Sequence, residues 1–381
     1  MVDYWKDFGP FHGRIWLDSA SEGPLPRIAA ERAAEAITWK VSPHLMTADL
    51  FGRIPRRLRH VLGRLIGAPE EQVILGNSAT FGIHLLANGL PLRPGDEILL
   101  VRGDFPSDIL PWLALEKTGV KIRFLEAKGT LPDGDDLKEN LTPSTRLFCT
   151  SWVHSFSGTA ADPLSLGKIC ASHRVLFVLN ASHALGTRPL DVTEAGVDAL
   201  TCVGYKWLCG PYGTGFCWIR PEVLDTLQYN HAYWQALLPR DYLLKEDEDL
   251  TPRGDVGARM YDVFGTANFL NFHPWTASLE YLLGIGIDRI EEHDQHLVDR
   301  LLAGLNRSLY EPLSPEAGRG RSALVVISHR DPKRNEEIHR ILQREGIDIA
   351  FRRGRLRISP HLHNSESDID RLLEVMNALH F

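Results

Sequence analysis

The stretch VLFVLNASHALG, residues 175–186, decides how the rest of the chain is read. Five apolar residues run without a polar break and end directly in Asn180, Ser182 and His183. A half-exposed strand alternates apolar and polar residues, whereas a continuous apolar run of this length fits a strand buried on both faces in a parallel sheet. Moving outward, the same kind of run recurs as VILG (73–76), EILLV (97–101), VKIRFLE (120–126), RLFCTSWV (146–153), VDALTCVG (197–204) and GTGFCWI (213–219). Helical text separates the runs: a helix from Ala79, FPSDILPWLALEK after EILLV, and LSLGKICASH before VLFVLN. The expectation is an α/β fold with a mainly parallel, seven-stranded sheet covered on both sides.

The chain of 381 residues is long enough for more than one unit. Residues 20–270 are expected to form a large domain, and residues 1–19 with 271–381 a smaller α+β one. In the latter, two long helical patterns (about 273–310) precede ALVVISH, a helix, IDIAFRR, RLRISPH and a final amphipathic helix. Between the two units, KEDEDLTPRGDVG reads as a long exposed loop.

A net charge of −7 argues against nucleic-acid binding, which needs a concentrated basic surface. The cluster RIPRRLRH (53–60) fits a solvated helix face. No segment reaches the roughly 18 apolar residues of a membrane span, and the N-terminus has no basic stretch leading into an apolar run. A cytoplasmic protein is therefore expected. The five cysteines (149, 170, 202, 209, 217) lack metal-ligand spacing and sit mostly in apolar text, so neither a zinc site nor a disulfide framework is expected.

Ligands of open parallel sheets sit beyond the carboxyl ends of the strands, so the polar residues collected there matter most. Lys206 follows VDALTCVG with no acidic neighbour, inside TCVGYKWLCGPYGTGF (201–216), and Gly210, Gly213 and Gly215 come within nine residues of it. A lysine in such a setting can have its pKa lowered, which favours imine formation with a carbonyl. GNSATFGIHLLA (76–87) puts Ser78, Ala79 and Thr80 at a helix start, where free N–H groups and the dipole favour an anion.

KWLCGPYGTG resembles the cofactor-lysine signature of class V aminotransferases, fold-type I enzymes that use pyridoxal 5'-phosphate, and the likeness extends from WLDSASEG to LRISPHLHNSESDIDRL. Isopenicillin N epimerase-like and kynureninase-like members look nearest. The resemblance implies that Lys206 forms the imine with the cofactor. It also implies that Ser78, Ala79, Thr80 and Tyr205 hold the phosphate, with Thr266 reaching the partner's phosphate in a homodimer. Phe105 in RGDFPSDILPW takes the position that stacks on the ring, and Ser155 in SWVHSFSGT that of a contact to the ring oxygen, with His154 as the alternative alignment. His183 falls where the family contacts the same oxygen, and Arg357 where it binds the carboxylate of an amino acid substrate.

Asn180 departs from the pattern, because the family has Asp there to pair with the protonated ring nitrogen. A neutral amide can accept weakly from that nitrogen, or flip and donate to it, and either way the ring takes up less charge. On this reading the chain is a pyridoxal-phosphate enzyme acting at the α-carbon of an amino acid, with β-elimination (carbon–sulfur lyase-like) or a specialised-metabolism reaction favoured. Transamination, epimerisation and decarboxylation share the same opening step. Persulfide-type desulfuration is disfavoured, since IAFRRGRLRISPH carries no cysteine before Arg357. A lapsed cofactor-binding protein, or a module for another phosphate ligand, would be the alternatives of a different class.

Overall fold

In the computed structural model, residues 3–238, 242, 250–254, 256–265 and 268–379 are described. Seven strands form the main sheet: β2 (Val73–Gly76), β3 (Glu97–Val101), β4 (Lys121–Leu125), β5 (Thr145–Ser151), β6 (Leu176–Asn180), β7 (Ala199–Val203) and β8 (Gly215–Ile219), in the order β2-β8-β7-β6-β5-β3-β4. All neighbours are parallel except β8, which runs antiparallel to both β2 and β7. Each apolar run read from the sequence thus supplies one strand. Alternate residues feed two cores, with Leu99, Phe148, Phe177, Leu179 and Phe216 on one face and Ile98, Leu147, Val178, Ala199 and Ile219 on the other. This two-sided burial is why the runs are continuous rather than alternating.

FPSDILPWLALEK does not form one helix. It breaks into short turns at Pro106–Asp108, Leu110–Leu113 and Ala114–Thr118. Pro106 and Pro111 each lack the N–H that a helix interior requires. The consequence is functional, because the broken segment folds back over the strand ends and brings Asp108 there.

A second sheet, β12-β13-β10-β9, is built from β9 (Tyr310–Pro312), β10 (Val325–His329), β12 (Ala350–Arg352) and β13 (Arg355–Ile358). Near the N-terminus β1 (Ile15–Trp16) pairs in parallel with β11 (Ile347–Asp348), and Leu17 joins Leu301, Ile327, Leu342 and Ile358 in a separate core. The division into 20–270 against 1–19 with 271–381 is our proposal. Packing bears on its boundary: Phe272, Trp275 and Leu279 of helix Phe269–Ile285 lie in the core of the large sheet, whereas Leu297, Val298 and Leu301 of helix Ile287–Gly304 lie in the small one. The basic cluster 53–60 lies in helix Ala48–Ile66, where Arg59 is buried against Asp262 while Arg57 faces outward to Glu280. Residues 245–249 and 255 of KEDEDLTPRGDVG fall outside the described residues.

Candidate active site at the strand ends

Because β2, β3, β5, β6 and β7 all point the same way, their carboxyl ends share one edge of the sheet. Ser78 follows β2, Phe105 follows β3, Ser155 follows β5, Asn180 ends β6, and Lys206 comes three residues after β7. Register places Ser151 beside Asn180 and Asn180 beside Thr201. Residues far apart in sequence are thereby gathered by sheet topology alone.

Lys206 Nζ lies 3.1 Å from His183 Nε2 and 5.7 Å from the centre of the Phe105 ring. Burial, then the Arg357 charge, lower the lysine pKa to about 8. His183 is driven well below its ordinary value by burial and by Lys206, so it stays neutral. A lysine ammonium only donates, so Nε2 accepts and the ring proton sits on Nδ1. That buried Nδ1 has no partner among the described residues. An unpaired donor on a ring whose other nitrogen meets the lysine suits the ring oxygen of a pyridoxal, so the residues present fit the cofactor.

The phosphate end fits as well. Ser78 Oγ accepts from Phe81 N–H at 3.2 Å and caps helix Ala79–Gly89, while the first N–H groups, of Ala79 and Thr80, have no acceptor within the helix. A Cβ at Gly215 would lie 2.7 Å from the Ser78 backbone, so glycine is what lets β8 press against this helix start. Tyr205 is half-buried, with its ring 5.7 Å from that of Tyr212. Thr266 lies outside the described residues.

The opposite wall comes from the small sheet and the N-terminus. Arg357 is 3% exposed. Its Nη2 donates to Asp18 Oδ1 (3.1 Å) and Ser21 Oγ (2.6 Å), and its Nη1 to the Ser155 carbonyl (3.3 Å). Its Nε has no partner among the described residues. The guanidinium is thus held rigidly by an internal carboxylate. Ser155 meets Arg357 through its backbone, while His154 has both ring nitrogens engaged, by Gly103 O and Ser157 Oγ. Phe105 stacks on Phe156, and the Arg353 guanidinium covers Phe156 at 3.4 Å from its ring centre.

The N-terminal segment is anchored beside the lysine by Gly23. Its N–H donates to Tyr205 O at 2.9 Å, and a Cβ there would fall 1.9 Å from the Lys206 carbonyl oxygen. Backbone cannot give way cheaply, so Gly23→Ala is expected to cost about 3 kcal/mol. It should also displace Asp18 and Ser21 from Arg357. Urea denaturation reads the first effect and substrate KM the second.

Sequence reasoning missed Asp18, Asp104, Asp108 and Ser151. Asn180 Nδ2 donates to Asp108 Oδ1 at 2.7 Å, and Asn180 Oδ1 accepts from Ser182 N–H at 3.1 Å. The amide cannot flip, because the Ser182 N–H needs an acceptor opposite it. The expected freedom of Asn180 to turn is therefore removed by its neighbours.

Fold and site together define a pyridoxal 5'-phosphate enzyme of fold type I. The class-V aminotransferase family model matches residues 15–372, and the chain belongs to that family. It is 28% identical to isopenicillin N epimerase of Streptomyces clavuligerus, over 98% of both chains. A probable cysteine desulfurase of Methanothermobacter thermautotrophicus is 26% identical, over 79% of this chain and 74% of that one. Among solved structures, the cystine C–S lyase C-DES in complex with its reaction product cysteine persulfide superposes with a TM-score of 0.86 at 20% identity, covering 96% of this chain and 98% of that one. The cysteine desulfurase of Thermococcus onnurineus gives 0.86 at 22% identity, covering 98% and 96%.

Proposed function

We propose that this enzyme is a β-eliminating carbon–sulfur lyase acting on an S-substituted cysteine, in which Lys206 is the base, Arg357 the carboxylate clamp and His183 the partner of the cofactor's ring oxygen. Pyridoxal phosphate, when bound, supplies an electron sink for charge developing at the substrate α-carbon. Arg357, immobilised by Asp18, supplies the guanidinium for the substrate carboxylate. The Lys206 amine takes the α-proton. The C–S bond then breaks with its electron pair on sulfur, which leaves as a thiol after protonation, and water releases the remainder as pyruvate and ammonium.

The observation that carries this reading is the state of the cysteines. All five are buried, and the β12–β13 turn at Arg353 and Gly354 is a tight reversal with no cysteine on it. A persulfide-forming cysteine must reach the substrate sulfur, so the enzyme is read as a lyase and not a desulfurase, although several relatives carry the latter name. The uncharged amide at position 180 agrees with chemistry that asks less of the ring as an acceptor. Epimerisation is the second reading, favoured by the full-length likeness to isopenicillin N epimerase.

A panel of amino acids including cystine and S-alkyl cysteines separates the readings. Elimination gives pyruvate, desulfuration gives alanine, and epimerisation returns the substrate inverted. Since burial and the Arg357 charge lower the pKa of the free Lys206 amine to about 8, kcat, which reports the substrate complex in which that amine is free, is expected to rise with pH through that region and level off above it. A flat profile from pH 6.5 to 9 would remove the lysine from the base role. We also propose a homodimer, supported by the exposed apolar residues Ile37, Val41, Leu45 and Phe51, which follow one another within residues 37–51. Its mass in solution tests this directly.

A further inference from the structure

Behind Asn180 lie two buried carboxyl groups joined by one hydroxyl. Ser151 Oγ stands 2.6 Å from Asp104 Oδ1 and 2.9 Å from Asp108 Oδ2. Asp104 also accepts from Ser151 N–H (2.8 Å), Phe105 N–H (2.7 Å) and the Thr150 hydroxyl (3.4 Å). Asp108 is 1% exposed, and its other oxygen meets the Asn180 amide.

The hydrogens can be counted. A serine hydroxyl has one proton, and ionised carboxylates only accept. Two short contacts from one hydroxyl to two carboxyls therefore need a second proton, carried by one of the acids. Asp104, surrounded by donors, is the ionised member and takes the serine proton over the shorter contact. Asp108 carries the extra proton and donates it to Ser151 Oγ.

We propose that Asp108 is a positioning residue for the cofactor: a buried, protonated carboxyl, bridged through Ser151 to ionised Asp104, that locks the Asn180 amide and keeps negative charge away from the ring nitrogen. This rests on the reading of the strand ends as the cofactor site, but not on the reaction assigned to it. The carboxyl count at this edge is thus not reduced by the Asn at position 180. It is moved one residue deeper and neutralised, so the ring nitrogen faces an amide fixed by an acid instead of an ion pair. Burial, then the neighbouring Asp104 charge, push Asp108 up to about 8. The other ionisable groups facing it are Lys206 from the loop after β7, which favours its ionised form, and the neutral thiol of Cys149 on β5.

The first test uses the full-length protein without cofactor and compares infrared spectra of wild type and Asp108→Asn at pH 7. The expected result is a protonated-carboxyl carbonyl band that is lost in the variant, shifts on 13C-aspartate labelling, and fades in wild type as pH rises past about 8. Absence of the band in wild type at pH 7, or its survival in Asp108→Asn, would overturn the proposal. If that variant does not fold, Asp108→Glu replaces it: the band should then no longer shift on 13C-aspartate labelling, and a band that still shifts would overturn the proposal. Asp104→Asn should lower the pH at which the band fades, and no change there would sever the proposed link. In the cofactor-loaded protein, the dependence of visible absorbance on pH should differ between wild type and Asp108→Asn. Superimposable profiles would show that Asp108 does not act on the ring. These readouts do not involve product, so they stand or fall separately from the lyase assignment.

Discussion

Lys206→Ala is expected to fold, because it removes a half-buried amine and leaves no carboxylate unpaired beside it, yet to lower turnover by at least about 10²–10⁴-fold through loss of the base. The same change should abolish covalent retention of the cofactor. Borohydride reduction followed by mass spectrometry will fix pyridoxal phosphate to the wild-type chain at Lys206 and not to the variant. Removing the amine also frees His183 Nε2 of its 3.1 Å contact, so the variant should titrate its histidine closer to the ordinary value, although burial, the first cause of the shift, persists. A variant that still turned over substrate at wild-type rate would place the chemistry elsewhere.

Arg357→Ala has the second large effect, and it acts twice. Asp18, already raised by burial and held down chiefly by the Arg357 charge, would be left inside the protein without its counter-ion. Breaking a buried pair from one side typically costs about 3–5 kcal/mol. Substrate binding should fall with it, because the guanidinium is the planar donor for the carboxylate. The two consequences can be separated. Combining Arg357→Met with Asp18→Asn removes the buried charge and should recover much of the stability by urea denaturation while leaving KM high. Recovery of both would mean that Arg357 serves the fold alone.

The large sheet was legible because each of its strands is buried on both faces and so reads as an unbroken apolar run. Lys206, Asn180 and His183 were legible because they sit directly at the ends of such runs. The helix over FPSDILPW was misread, since apolar spacing suggested it while Pro106 and Pro111 forbid it. That error hid Asp108, which reaches Asn180 across 72 residues of sequence only because the segment turns back. Asp18 and Arg357 are 339 residues apart and meet because β1 pairs with β11 and Asp18 bridges Ser359, just past β13. No local pattern announces a contact of that kind. A pair of carboxylates four residues apart just beyond β3 was the one available signal for Asp104 and Asp108, and it gains meaning only beside Ser151.

The most direct test of the central claim is the identity of the product formed from cystine by the purified, cofactor-loaded enzyme. Pyruvate and ammonium are expected in equal amounts, dependent on Lys206, with the sulfur released as the persulfide of the departing cysteine. Alanine as the product, with the substrate's sulfur left bonded to one of the enzyme's own cysteines, would contradict it.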